Sequence, residues 1–334
     1  GRHMRLRVHQ IPPGFLLPVR PTLALLRTAV EPLLRVLDDN DVLFAPNFFA
    51  QADQEPFART QVATVHDLAF AAMPQTVSPE TLAGLRERLP RTLCHAERLI
   101  AVSEATAGDL VEHLGLPRRV IHTIHEGVDE SLTRDAAVEL PAGLPERYLL
   151  FVSTLEPRKN VIGVLRAFKL LKDWAYPGGL VLVGRWGWRT EAIRRELESS
   201  PVRSSIHHLD YVERPLLAAL YRGADALLFP SWLEGFGLPL LESMACGTPV
   251  ITSGSSSMPE VAGPAAVYVD PSSPHGIASA AASLLADPQH RARLQALGRE
   301  RAARFSWERA AAATAAVLRQ AAGLPGRGKD EYRA

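Results

Sequence analysis

From Tyr148 onward the chain alternates between two kinds of segment, and this alternation limits what it can fold into. The short apolar run "YLLFVS" is followed in order by the strand candidates "LVLVG", "IHHLDYV", "ALLFP", "TPVITS" and "AAVYV". A continuous apolar run of strand length reads as a strand buried on both faces. Between the runs lie helical patterns. Asn160 is placed to cap a helix that carries Val164, Leu165, Phe168 and Leu171 at helical spacing. Further helices are expected over about 190–199 and over "PLLAALYRGA". Strands alternating with helices in this way predict a doubly wound parallel sheet.

The first half repeats the pattern in shorter form. Its strand candidates are "LRVHQI", "VLFAP", "QVATVHD", "RLIAVS" and "VIHTI". Helices are expected near Thr22–Leu37, Pro79–Cys94 and Glu104–Leu114. The polar, proline-bearing stretch from Leu132 to Arg147 is the natural seam. A length of 334 residues also suits two domains. The expected division is 5–140, 141–307 and a closing helix over 308–322. The tail "GRGKDEYRA" should fray. "GRHM" reads as a cloning remnant, which puts the native start at or after Met4.

Composition narrows the class. The chain is 47% hydrophobic and 22% charged, as expected of an ordinary globular protein. A net charge of +1 offers no electrostatic case for a nucleic-acid partner. Cys94 and Cys246, the only cysteines, look like thiols of a reducing compartment rather than a disulfide framework. No apolar run approaches the roughly 18–20 residues needed to span a bilayer, and no secretory signal is visible. A cytoplasmic location follows as the expectation.

The chemistry concentrates in "PSWLEGFGLPLLESMACGTPVI", Pro230 to Ile251. The chain leaves a strand through "LEGFG" and enters a helix with Pro239 in its first turn, where the missing N–H costs nothing. Gly247 is placed to stop that helix. A helix start with free N–H groups favours anions. Gly235 and Gly237 would let a ligand approach the backbone closely. Glu234 and Glu242 could accept hydrogen bonds from sugar hydroxyls. A phosphate flanked by hydroxylated rings would use all three features, and a nucleotide-sugar has that composition. The plainer alternative is that both acids only favour the helix N-terminus. A second loop, "STLEPRKN", follows the first strand of the same half, and Arg158 and Lys159 there could neutralise phosphates. Their plain alternative is a solvated surface pair.

With "LEPRKN" upstream and "SSSMPEVAG" downstream, the Glu234–x7–Glu242 pattern resembles glycosyltransferase family 4, the large family of retaining nucleotide-sugar transferases. In the first half, "DVLFAPNFF", "TVHDLAF", "IAVSEAT" and "HEGVD" are similar to that family too, especially to its mannosyltransferase-like members. The resemblance covers about Val42 to Arg309. It implies the GT-B fold, two Rossmann-like domains facing a cleft. Carried over by position, it implies that Glu242 binds the nucleotide ribose and that Glu234 sits near the donor-sugar hydroxyls. Gly235, Phe236 and Gly237 would offer amides to sugar and phosphate, and Arg158 and Lys159 would hold the diphosphate. His66 would lie across the cleft near the donor sugar. Without the resemblance, His66 reads equally as a core histidine at a strand end. Asp67 and Ser103 read most simply as caps. "FSWERAA" resembles the start of the family's last helix, which crosses back onto the N-terminal domain.

Two departures from the family pattern stand out. Ser153 and Thr154 occupy the place of a common Gly-Arg, with Arg158 able to supply the charge. At the start, "HQIPPGFLLPVRP" offers only Gly14 where the family has a glycine-rich loop, so the first βαβ portion is expected to be absent or shortened. If that shortness is native, an oligomer or a partner subunit is implied.

Other motifs carry less. "DDND" at Asp38–Asp41 reads as a helix end rather than a metal site. His122, His125, His207 and His208 have no recognisable zinc spacing. Trp186 and Trp188 could line the cleft or simply pack. No GxSxG elbow or P-loop is present. The expectation is metal-independent, retaining transfer from a nucleoside diphosphate sugar, with GDP-mannose favoured. The acceptor would be a carbohydrate or lipid-linked hydroxyl, in bacterial polysaccharide or glycoconjugate synthesis, with contact to the inner membrane face when the acceptor is lipid-linked. The rivals are an epimerase or phosphorylase of the same fold, or a donor-binding partner subunit.

Overall fold

The structure is a computed structural model that describes residues 41–48, 60–133 and 138–324. The expected strand "LRVHQI", the helix at 22–37, the Gly14 segment, the first three residues of "DDND" and the C-terminal tail lie outside the described residues.

Two parallel sheets form. The N-terminal sheet contains β1 (Val42–Ala45), β2 (Thr60–Val65), β3 (Ala96–Ala101) and β4 (Ile121–Thr123), side by side in chain order. Between them run α1 (Ala69–Ala72), α2 (Pro79–His95) and α3 (Glu104–Leu114). Ser78 and Ser103 cap α2 and α3, accepting from the amides of Thr81 and Thr106. Such a cap contributes about 1 kcal/mol.

The C-terminal sheet begins with β5 (Tyr148–Val152), α4 (Val161–Asp173) and β6 (Gly179–Val183). It continues through α5 (Glu191–Glu198), β7 (Ile206–Leu209), α6 (Arg214–Gly223), β8 (Ala226–Phe229) and α7 (Leu238–Ala245). Then come β9 (Val250–Ser253), α8 (Met258–Ala262), β10 (Ala266–Val269), α9 (Pro274–Ala286) and α10 (Pro288–Ala302). The strand order is β10-β9-β8-β5-β6-β7. Winding therefore reverses between β5 and β8, and the carboxyl edge at such a reversal is where open α/β sheets bind ligands.

Strand alternation divides β5 between two cores. Leu149 and Phe151 pack with Val164, Leu165, Phe168 and Leu171 of α4 and with Ile277 and Leu284 of α9. Tyr148, Leu150 and Val152 pack with Leu220 and Tyr221 of α6 and with Leu240, Leu241 and Met244 of α7. Cover on both faces explains why the strand is apolar throughout. Burying each such large side chain is worth about 1.5–3 kcal/mol.

Asn160 stands at the helix start but does not cap it. Its backbone is left-handed, with φ +58°, and its amide donates to the carbonyls of Pro230 (3.0 Å) and Pro271 (2.7 Å). It ties the loop after β5 to the loop after β8. That role depends on long-range contacts, which local helix spacing does not encode.

The last helix, α11 (Trp307–Ala321), lies on the N-terminal sheet, where Ala310, Val317 and Ala321 pack against Val62 and Ile100. Two side chains from the loop after β6 also bridge the sheets. Trp188 donates to the Thr76 carbonyl at 2.5 Å, and Arg189 donates to that of Val77 at 3.2 Å. Trp188 thus links the domains, while Trp186 packs within its own, its ring under the Arg194 guanidinium at 3.8 Å. Among the described residues, no helix is long and apolar enough to cross a membrane.

Candidate active site

The loop from Pro230 to Gly237 links β8 to α7, and two glycines determine its path. Gly237 has φ +103°, a conformation that disfavours any side chain. Gly235 is required for a different reason. A Cβ there would lie 1.6 Å from the His66 carbonyl oxygen of the opposing domain. The room a side chain would need at Gly235 is taken by the other half of the protein itself.

The loop carbonyls face hydroxyl groups. Glu234 O accepts from Ser256 (2.5 Å) and Ser257 (3.0 Å), and Phe236 O accepts from Ser257 (2.8 Å). Gly235 O accepts from Ser103 (2.6 Å) and Thr106 (3.1 Å), both in the N-terminal domain. Ser103 therefore does more than cap α3. Ser256 and Ser257 lie in "SSSMPEVAG", and their seryl run was the only local signal of this role.

The loop after β5 brings two cations to Glu234. Lys159 Nζ donates to Glu234 Oε1 at 2.7 Å and to Oε2 at 2.6 Å. Arg158 Nη1 donates to the Leu233 carbonyl at 2.8 Å and lies 3.4 Å from Glu234 Oε2. Its Nη2 lies 3.0 Å from Glu156 Oε1 and 3.8 Å from Asp67 Oδ2 of the N-terminal domain. The side chains of Glu234, Lys159 and Arg158 are only 6%, 11% and 12% exposed. Burial alone would push the Glu234 carboxyl up, but Lys159 and Arg158 outweigh it and hold the group below its ordinary range. Glu156 goes the other way. Burial raises its carboxyl despite Arg158, and its Oε2 has no hydrogen-bond partner among the described residues. The two cations are thus more enclosed than a solvated surface pair.

Across the cleft, His66 follows β2. Its Nδ1 lies 3.2 Å from Glu126 Oε1 and its Nε2 lies 3.0 Å from the Pro46 carbonyl. The Glu126 contact raises the imidazole above its ordinary value, against a smaller opposing effect of burial. Asp67 caps the next turn, accepting from the Ala69 amide at 3.0 Å.

Glu242 stands apart from this cluster. Its Oε2 accepts from the Tyr221 hydroxyl at 2.8 Å, and burial raises its carboxyl. Glu260 was not singled out from the sequence. Its carboxylate accepts from the amides of Glu104 (2.8 Å) and Ala105 (3.2 Å), and one of its oxygens lies 2.6 Å from His125 Nε2. It binds the start of α3 from the opposite domain. Among the described residues, no group of three or more His, Cys, Asp or Glu side chains is arranged to hold a metal ion.

With this geometry established, comparison with known proteins identifies the class. Residues 135–301 match the family described as "Glycosyl transferases group 1", and residues 2–132 match "Glycosyltransferase Family 4". The chain belongs to this glycosyltransferase family and is by class a hexosyltransferase.

The chain is 31% identical to the O-antigen chain mannosyltransferase B of Escherichia coli over 81% of its own length and 72% of that protein. It is also 31% identical to the MMP alpha-(1->4)-mannosyltransferase of Mycolicibacterium hassiacum, over 71% of its own length and 57% of the relative. Two solved structures share the GT-B fold. Sucrose-phosphate synthase of Thermosynechococcus elongatus gives a TM-score of 0.68 at 24% identity, covering 93% of this chain and 82% of that one. Anabaena HepE in complex with UDP-glucose gives 0.70 at 16% identity, covering 90% and 84%.

Proposed function

We propose that this chain transfers a hexosyl group from a nucleoside diphosphate sugar to an acceptor hydroxyl, with retention at the anomeric carbon and without a metal ion. GDP-mannose is the favoured donor, since two of the similar proteins are named mannosyltransferases. The observation that carries the reading is the Lys159–Glu234 pair at the point where sheet winding reverses. A lysine ammonium has three donors. Two serve Glu234; among the described residues no hydrogen-bond partner takes the third, which would meet a phosphate oxygen. Lys159 and the α7 N-terminus would stabilise charge on the departing diphosphate. Glu234, kept ionised by its cations, would accept from donor-sugar hydroxyls, and Glu242 with Tyr221 would meet the ribose. Arg158, engaged on several sides, would act mainly by fixing the loops and adding positive potential. The proposed location is the cytoplasm, or the inner membrane face when the acceptor is lipid-linked.

The test is a panel of GDP- and UDP-linked sugars in the presence of a chelator, read by thermal shift and then by product anomer. A donor at 100 times its dissociation constant should add about 2.7 kcal/mol of stability. Transfer with retained configuration in the chelator supports the reading. Strict dependence on a divalent ion removes its metal-free part. Conversion of donor without acceptor would point instead to an epimerase.

A further inference from the structure

We propose that Glu126 is a positioning residue that keeps His66 as an imidazolium, so that His66 acts in the cleft as a fixed positive charge and not as a proton acceptor. The argument starts from the two ring nitrogens. Nε2 faces the Pro46 carbonyl at 3.0 Å, and a carbonyl oxygen can only accept. That nitrogen carries a hydrogen. Nδ1 faces a Glu126 carboxylate oxygen at 3.2 Å, an acceptor whenever ionised. A neutral imidazole has one N–H and cannot serve both, whereas the imidazolium serves both. With both nitrogens engaged, the ring has no lone pair to offer a substrate hydroxyl.

The charges that act on His66 most directly are both negative, those of Glu126 and Asp67. Asp67, next in the chain, adds negative potential, and Arg158, the cation near it, lies 3.8 Å from Asp67 Oδ2. Phe48 lies edge-on to the ring, with centroids 6.1 Å apart. The His66 side chain is 39% exposed and that of Glu126 15%, so the imidazole keeps an open flank while its partner lies more deeply buried. The His66 backbone also meets the opposing domain, its carbonyl oxygen 1.6 Å from where a Gly235 Cβ would be. The ring itself contacts Glu126, Pro46 and Phe48 of its own domain, and a positive charge on it would stabilise negative charge on a donor bound between the domains as the sugar–phosphate bond breaks. This inference rests on the proposed transfer reaction.

The test uses the full chain with isotope-labelled histidine. The His66 ring signals, assigned by comparison with His66→Gln, are followed by NMR against pH in the wild type and in Glu126→Gln, and kcat and KM are measured over the same range. The expected result is a His66 midpoint above its ordinary value in the wild type and lower in Glu126→Gln. The alkaline limb of kcat should move in the same direction, KM should hold, and kcat at pH 8 should fall roughly tenfold, the weight of one charge-assisted hydrogen bond. Glu126→Asp, which restores the carboxylate, should recover part of the midpoint shift. A midpoint unchanged in Glu126→Gln overturns the proposal. A midpoint that moves while the kcat profile stays in place overturns the catalytic half and leaves the transfer reaction standing. If the wild type turns over no donor at all, the functional reading fails, while the NMR titration still decides whether Glu126 charges His66.

Discussion

Glu234 and Glu242 lie on the same loop-and-helix unit, yet their surroundings give them opposite character. Burial pushes both carboxyls up. Lys159 and Arg158 overcome that effect at Glu234, whereas Glu242 has a neutral phenol for its close partner and stays raised. The topology explains the difference. The cations sit on the loop after β5, and β5 neighbours β8 in the sheet, so their loops meet. Glu242 lies within α7, beside α6 and its Tyr221. The acid at the point of winding reversal is held below its ordinary range by cations, and the one in the helix is pushed above it by burial.

The largest effect expected from this contrast is on stability. Lys159→Ala leaves a buried carboxylate short of its main partner and should cost about 3 kcal/mol, the lower end for a broken buried pair because Arg158 remains. Tyr221→Phe at the other acid removes one ordinary hydrogen bond and should cost about 1 kcal/mol. Urea unfolding of both variants measures the gap, and equal losses would erase the distinction.

Next in size is the division of labour in ligand handling. Glu234→Gln should leave nucleoside diphosphate affinity nearly unchanged and lower kcat on the order of 10- to 100-fold, as for a contact realised when the sugar moves. Glu242→Gln should weaken nucleotide and donor alike by about 1 kcal/mol. Calorimetry with the free diphosphate, beside donor kinetics, separates the two. If both variants bind and turn over normally and are merely less stable, the acids only favour a helix start.

The smallest effect is in pH dependence, where the signs are opposite. The Glu234 carboxyl is lowered from 4.5, so its contribution is full above 4.5 and is lost as pH falls through the folded value. The Glu242 carboxyl is raised from 4.5, so its contribution is full below 4.5 and is lost as pH rises through the folded value. Tm measured against pH should therefore lose its acid-side slope in Glu234→Gln and its slope above pH 4.5 in Glu242→Gln. Matching changes in the two variants would contradict the assigned directions.

What the sequence revealed followed what is local. Most of the six C-terminal strands were legible as apolar runs bounded by turns, with β7 (IHHL) read from its place in the alternation, and α3 was legible from Ser103 to Leu114 because its cap and periodicity are contiguous. The meeting of Lys159 with Glu234 was only half visible. Each loop looked like a ligand loop, but their pairing depends on β5 and β8 being neighbours. The tasks of Gly235, Asn160, Ser256, Ser257 and Glu260 were hidden, because each side chain or glycine answers to a residue far away in the chain. Gly235 shows this most clearly, since its glycine character is set by the His66 carbonyl.

The contact of Glu260 with α3 carries a consequence for motion. A helix normally finds its cap in its own neighbourhood, but here two N-terminal amides, those of Glu104 and Ala105, are bonded by a carboxylate from the other domain. Any parting of the domains bares these two N–H groups to solvent while the helix body stays folded. Their protium–deuterium exchange is therefore a built-in gauge of opening. Slow exchange means a cleft that seldom parts, and exchange that slows further with added nucleotide-sugar means a ligand that holds it shut. The molecule thus carries its own reporter of domain opening, with no label attached.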